Sequence, residues 1–267
     1  MHAPVRRSTY RAPKNLVESL VSRAVGMVTK VGLRLHFRLY RRAVSRGLFP
    51  QDARVQSIAG PRPERVLFVG DVAVAGYGVL RHGMSAAPQT AARIAARTGR
   101  GVSWSAMTAF DLTARKVATL PCEGTYDIDR VFFMLGVPDV LLGTTSEDWS
   151  ASIRTVLNRA RSAFSDDVQV VFAAIPPMEN FRPMPPVARI ILRRQVRRLN
   201  AAAAVVLDYD NPSGTNVFVP APHWGTKDGP IESQFSWRDL HQQWAQGLAD
   251  AATATTPRND PRHMVIV

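Results

Sequence analysis

The stretch from Arg65 to Val79, RVLFVGDVAVAGYGV, constrains the fold more than any other part of the chain. Val66 to Val69 form a short β-branched and aromatic run, the pattern of a strand buried on both faces. Gly70 and Asp71 end the run in a turn, and Gly76 and Gly78 loosen the backbone beyond it. Open α/β sheets place ligands at such turns, outside the C-terminal end of a strand.

From there the sequence alternates. Strands are expected at Val66–Val69, Val102–Ala106, Val131–Leu135, Val168–Ala174 and Val217–Val219. Helices are expected at Thr90–Arg97, Leu112–Leu120, Glu147–Phe164, Val187–Val206 and Trp237–Ala252. Five strands joined through helices by right-handed crossovers predict a flavodoxin-like three-layer α/β/α sandwich on a five-stranded parallel sheet. At 267 residues and 46% hydrophobic composition, one such domain and an appendage fit the chain.

The stretch at Gly70-Asp71 resembles the first sequence block of the SGNH/GDSL hydrolases, in which Gly-Asp-Ser follows a strand and the Ser is the nucleophile. Here Val72 takes the nucleophile's place, and a valine has no lone pair with which to attack a carbonyl. Gly136-Val-Pro-Asp139 resembles the family's third block, Gly-x-Asn-Asp, with Pro138 in place of the Asn whose amide donates to the oxyanion. In the second block the resemblance sets Asp111 at a glycine. In the last block, anchored on Trp244-Ala245, it sets Phe235 at the histidine and Glu232 at the acid. A competing register pairs Asp239 with His241. Further similarity, at Ala173 to Pro185 and Leu192 to Asn200, extends the likeness to about residues 60–252.

The resemblance therefore implies the fold together with altered or lost acyl-transfer chemistry. It implies first a non-catalytic domain that binds a ligand or a protein partner, a catalytically competent relative being one such partner. The alternative is a divergent acyl or acetyl esterase with a relocated nucleophile and His241 as base, which requires a Ser or Asp oxygen within hydrogen-bond reach of that ring. Gly70, Asp71, Gly136 and Asp139 would line the ligand pocket; the two aspartates otherwise serve as caps of turns or helix N-termini. His223 and His82 are candidates for a pocket mouth. Ser85, Ser103, Ser105 and Ser213 are the remaining hydroxyls weighed, and Met178, Phe181, Pro183 and Met184 could cover a cleft. No His/Asp/Glu cluster has ligand-like spacing, so neither a metal nor a cofactor is implied.

Charge singles out the N-terminal segment. Of the net +13, residues 1–48 carry +10: eleven basic residues against Glu18 alone. Residues 1–13 read as a disordered basic tail, 14–46 as an amphipathic helix, 47–64 as a linker, 65–254 as the domain and 255–267 as a C-terminal tail. Arg23, Lys30, Arg34, Arg38 and Arg41 form one stripe, with Arg42 beside it. Val25, Val28, Leu35, Leu39 and Ala43 lie opposite, flanked by Leu33, Phe37, Tyr40 and Val44. Two readings fit this pattern equally: an in-plane helix on an anionic membrane, or a helix that packs on its own domain. Nucleic acid is disfavoured because no recognised binding motif accompanies the helix. No 18-residue apolar run predicts a spanning helix, and Glu18, Arg23 and Lys30 break up any signal-peptide core. The single Cys122 fits a reducing compartment. The expected location is cytoplasmic, peripheral on the inner face of the cell membrane.

Overall fold

Alternation along the strands sorts side chains into two cores. In a computed structural model of the protein, described for residues 32–33, 35–53, 55–120, 127–164, 167–181, 184–211, 214–222 and 236–254, successive residues of each central strand face opposite sides of one sheet. Val131 and Phe133 enter one cluster with Val69, Val170 and Phe172. Phe132 and Met134 enter the other with Val66, Phe68, Trp104 and Val171. Phe68 stacks on Phe132 across neighbouring strands, ring centroids 4.8 Å apart.

The strands are β1 (Ser57–Ile58), β2 (Glu64–Gly70), β3 (Val102–Thr108), β4 (Arg130–Met134), β5 (Gln169–Ala173) and β6 (Asn216–Val219). Their order is β1-β3-β2-β4-β5-β6; β1 runs antiparallel to β3 and all other neighbours are parallel. The sheet thus has six strands rather than five. The extra one is a two-residue antiparallel edge inside the stretch 47–64 that the sequence marks as a linker, where Ser57 and Ile58 pair with Ser103 and Val102. The five parallel strands have the 2-1-3-4-5 order of flavodoxin-like folds, whose ligand crevice opens where the order reverses. Here that place is between the C-terminal ends of β2 and β4.

A helical segment at residues 35–45 is α1. It is followed by α2 (Val72–Ala75), α3 (Ala86–Thr98), α4 (Ala114–Thr119), α5 (Val137–Leu142), α6 (Ser146–Ala163), α7 (Pro186–Tyr209) and α8 (Trp237–Ala254). α3 and α8 cover one face of the sheet through Ile94, Leu240, Trp244 and Leu248. α4, α6 and α7 cover the other. On α6, Trp149, Ile153, Val156, Leu157 and Ala160 recur at helical spacing and are buried, while Thr145 caps the first turn by accepting from the Asp148 amide. The five helices expected within the domain are present, while of the helix expected at 14–46 residues 14–31 and Arg34 lie outside the described residues. α2 and α5 are additional, both short, and both begin at the crevice.

Among the described residues α1 packs on the domain. Leu33 and Val44 are buried, and Phe37 and Tyr40 lie against the α4–α6–α7 core. The packed face is not the one centred on Leu35 and Leu39, which stay 58% and 51% exposed. Aromatic rings bury more area than leucines, and Tyr40 and Phe37 take the inner positions.

Candidate functional site

At the switch point β2 must pass so close to β4 that a side chain is excluded. A Cβ on Gly70 would stand 2.4 Å from the Met134 carbonyl oxygen and 2.5 Å from a Val74 methyl. Glycine is required by contact here. The chain then turns on Asp71, which caps α2. Its Oδ1 accepts from the Ala73 amide at 3.1 Å, and its Oδ2 accepts from the Val137 amide at 3.0 Å, tying the end of β2 to the start of α5. The Thr108 hydroxyl, at the end of β3, donates to the Asp71 carbonyl at 2.9 Å.

Asp139 does the same for the neighbouring loops. Its Oδ2 accepts from the Ala114 amide at 3.1 Å, holding the first turn of α4, and its Oδ1 accepts from the Thr144 hydroxyl at 3.3 Å. Gly136, with φ of 128°, makes the bend from β4 into α5. Pro138 sits in the first turn of α5, where a missing N–H costs no helical hydrogen bond. Both carboxyls are buried and serve as caps, the structural role the sequence left open for them. Desolvation pushes each up to about 7, against the opposing pull of the amides that donate to it.

This has a consequence for stability. A carboxyl with a folded pKa above its unfolded value of about 3.9 holds a proton in the native state that unfolding releases. Its stabilising contribution is complete below about pH 4 and is lost as pH rises through about 7. Thermal melts of wild type and Asp71→Asn at a series of pH values should show the wild type losing ground relative to the variant across that window. A difference in melting temperature that stays flat from about pH 4 to about pH 8 would mean that Asp71 does not titrate there.

Val72, at the nucleophile's place, is buried at the start of α2. His241 is buried on α8. Its Nε2 lies 3.0 Å from the Tyr77 carbonyl oxygen and donates to it, and its Nδ1 has no hydrogen-bond partner. Burial lowers its pKa, so the ring is neutral. Asp239 is exposed two positions earlier on the same helix, on a different face, so the Asp239–His241 register is not assembled as a pair. Asp111 is half-buried and ion-paired with Lys116 at 2.5 Å. The Ser85 hydroxyl donates to the His82 carbonyl, His82 pairs with Asp52 at 2.9 Å, and Ser103 and Ser105 are exposed on β3. Met178 is buried, with Phe181 and Met184 packed beside it against the core. Phe235, Glu232, His223, Ser213, Pro183 and Cys122 lie outside the described residues, as do Arg23, Lys30 and the side chain of Arg34.

No sequence pattern marks what lies over the crevice. α1 crosses the loops that follow β2 and β3. The Tyr40 hydroxyl donates to the Phe110 carbonyl at 3.0 Å, and the Arg41 guanidinium lies 5.7 Å above the Phe110 ring. Burial, with Asp71, Tyr77 and Asp111 nearby, pushes the Tyr40 phenol far above its ordinary range. The chain continues across the α2–α3 loop, where the Gly78 amide donates to the Leu48 carbonyl and the Tyr77 ring covers Gly47. Among the described residues a cavity of about 10 Å³, the room of about one water, lies beside Asp71, Val137 and Trp244. A larger groove of about 410 Å³ runs between α1, α4 and α5, lined by Phe37, Asp111, Arg115 and Leu142. Among the described residues no three His, Cys, Asp or Glu side chains gather as metal ligands, and no helix is long and apolar enough to cross a membrane.

The model of the GDSL-like lipase/acylhydrolase family matches residues 68–243. No curated protein matches the chain. Among solved structures, an active-site mutant of a family two carbohydrate esterase from Clostridium thermocellum superposes with a TM-score of 0.52 at 17% identity. That match covers 74% of this chain and 66% of the esterase. The aryl esterase of M. smegmatis gives a TM-score of 0.52 at 14% identity, over 72% of this chain and 100% of the other. A carbohydrate esterase family 3 structure from Talaromyces cellulolyticus gives 0.50 at 14%, over 72% and 97%. These neighbours share the fold. With its family model matched over residues 68–243, more than half of its length, the chain belongs to the GDSL-like lipase/acylhydrolase family.

Proposed function

We propose that this protein is a non-catalytic member of its family, a binding module for a ligand or a protein partner held at a membrane surface. The observation that carries the reading is the state of the reaction stations. Val72 offers no oxygen at the nucleophile's place, and Pro138 offers no donor at the oxyanion's. His241, the base of the alternative reading, spends its N–H on the Tyr77 carbonyl, and no Ser or Asp oxygen among the described residues bonds to it. Among the described residues the cavity beside Asp71 has room for about one water, less than an acyl group needs. A partner that spans the loop surface fits this geometry better than a small ligand in the crevice, and a catalytically competent relative is one such partner.

Support for the membrane comes from the outer face of α1. Arg38 and Arg42 are exposed beside the exposed Leu35 and Leu39, the combination that seats a helix in an anionic interface.

The catalytic part is tested by hydrolysis of short-chain activated esters by the full chain, beside a Val72→Ser, Pro138→Asn, Phe235→His variant. The expected result is no turnover by the wild type above the uncatalysed rate, and measurable turnover by the variant. Wild-type activity that survives purification and is lost in His241→Ala would overturn the reading and point to the divergent esterase.

A further inference from the structure

The charged groups of this fold divide by end. At the N-terminal ends of the strands the arginines are matched: Arg65 with Asp127, Arg97 with Asp250, and Arg100 and Arg130 with Glu64. At the C-terminal ends, where α1 lies and α7 begins, Arg193 pairs with Glu179 at 2.9 Å but several others are unmatched. Among the described residues Arg42, Arg46, Arg194 and Arg197 are exposed and have no acidic partner.

The two helices present the same pattern there. With about 3.6 residues per turn, Val187, Ile190, Arg194 and Arg197 share the face of α7 opposite the buried Leu192, Val196 and Leu199. Val187 and Ile190 are 68% and 63% exposed, large for β-branched side chains on a packed helix. On α1 the face opposite Leu33, Phe37 and Val44 carries Leu35, Leu39, Arg42 and Arg46. Each helix therefore turns outward two bare apolar side chains followed by two unmatched guanidiniums. Among the described residues the end of α5 lies between them. Leu142 lines the groove with Phe37 of α1, and two residues later the Thr144 carbonyl accepts from Gln195 and Arg198 of α7.

We infer that the first half of α7 is a second membrane-contact element, acting with α1 to seat the C-terminal end of the sheet on an anionic lipid surface. This rests on the membrane part of the reading above and extends it to a surface that the N-terminal charge does not include. Charge complementarity names the occupant: two faces that each join bare apolar side chains to unmatched guanidiniums suit anionic headgroups over acyl chains, each basic side chain adding to the attraction and the exposed Glu147 and Asp148 at the start of α6 subtracting from it. Two elements on one end also fix the tilt of the domain, which a single helix leaves free.

The experiment is sedimentation of the full chain with vesicles of phosphatidylcholine, with and without phosphatidylglycerol. Three variants are compared: Leu35→Ser/Leu39→Ser, Val187→Ser/Ile190→Ser and Arg194→Gln/Arg197→Gln, all at exposed positions. Circular dichroism verifies that each is folded. The expected result is binding that requires the anionic lipid and falls about tenfold in each α7 variant. α7 variants that bind as wild type while the α1 variant does not would overturn the α7 assignment and leave α1 as the only contact. A wild type that ignores anionic vesicles would overturn both readings. A full chain that is dimeric in solution and dissociated by Val187→Ser/Ile190→Ser would mark the face as a contact between copies and overturn the lipid assignment.

Discussion

Arg130→Ala is expected to lower the unfolding free energy by about 3–5 kcal/mol. Arg130 is 3% exposed and starts β4. Its Nε donates to Glu64 Oε2 at 2.8 Å, and its Nη1 donates to the Gln169 side-chain oxygen and to the Ala252 carbonyl. One guanidinium therefore fastens the starts of β2, β4 and β5 to the last turn of α8. Removing it strands the Glu64 carboxylate, which is 1% exposed, with Arg100 as its remaining cation at 2.9 Å. The cost comes from the uncompensated charge more than from the lost bonds, so Glu64→Leu combined with Arg130→Met should recover part of it. Urea unfolding measures both. A loss below about 1 kcal/mol for Arg130→Ala would show that water reaches Glu64 and that the pair is not a structural keystone.

Gly70→Ala is the second large effect, expected to cost more than about 3 kcal/mol or to prevent folding. The added methyl meets a backbone oxygen at 2.4 Å, and neither β2 nor β4 can retreat without breaking their register, in which Gly70 pairs with Met134. Overpacking by a methylene ordinarily costs about 1–3 kcal/mol because side chains can rotate away; a carbonyl in a parallel ladder cannot. Gly99→Ala is the natural control. Its φ is positive, at 65°, unlike that of Gly70, but a Cβ there meets nothing within 4 Å, so it should lose only the modest cost of a left-handed alanine. If the two substitutions prove equal, the close approach of β2 and β4 is not as drawn.

The parts of the fold visible in the sequence were those in which burial dictates the pattern. Val131 to Met134 is apolar without alternation because both faces of the strand are covered, and such runs cannot be mistaken for loops. β1 was invisible for the opposite reason. Ser57 and Ile58 have no pattern of their own, and only the open edge of β3 makes them a strand. α2 and α5 are set by tertiary contacts, since the amides that donate to Asp71 belong to the first turns of these two different helices. Pro138 could be seen to lack a donor, but its second meaning, a first-turn residue of α5, needed the Gly136 bend to be seen. On α1 the pattern was read and the face was not. An amphipathic helix states that it has an apolar side, and Leu35 and Leu39 met that description as well as Phe37 and Tyr40 did. The choice was made by Phe110 and the α4–α5 groove, which lie far away in sequence.

The course of α1 over the loops of β2 and β3 bears on what can compete for that ground. A segment joined to its receptor by a short connection acts as a ligand present at an effective concentration of about millimolar order. A free molecule seeking the same contacts as Tyr40 and Phe37 is measured against that standing competitor, and its apparent affinity falls by the fraction of time the crevice is uncovered. Weak solutes are screened out by mass action alone. A partner that engages α1 itself, from its outer side, meets no such handicap.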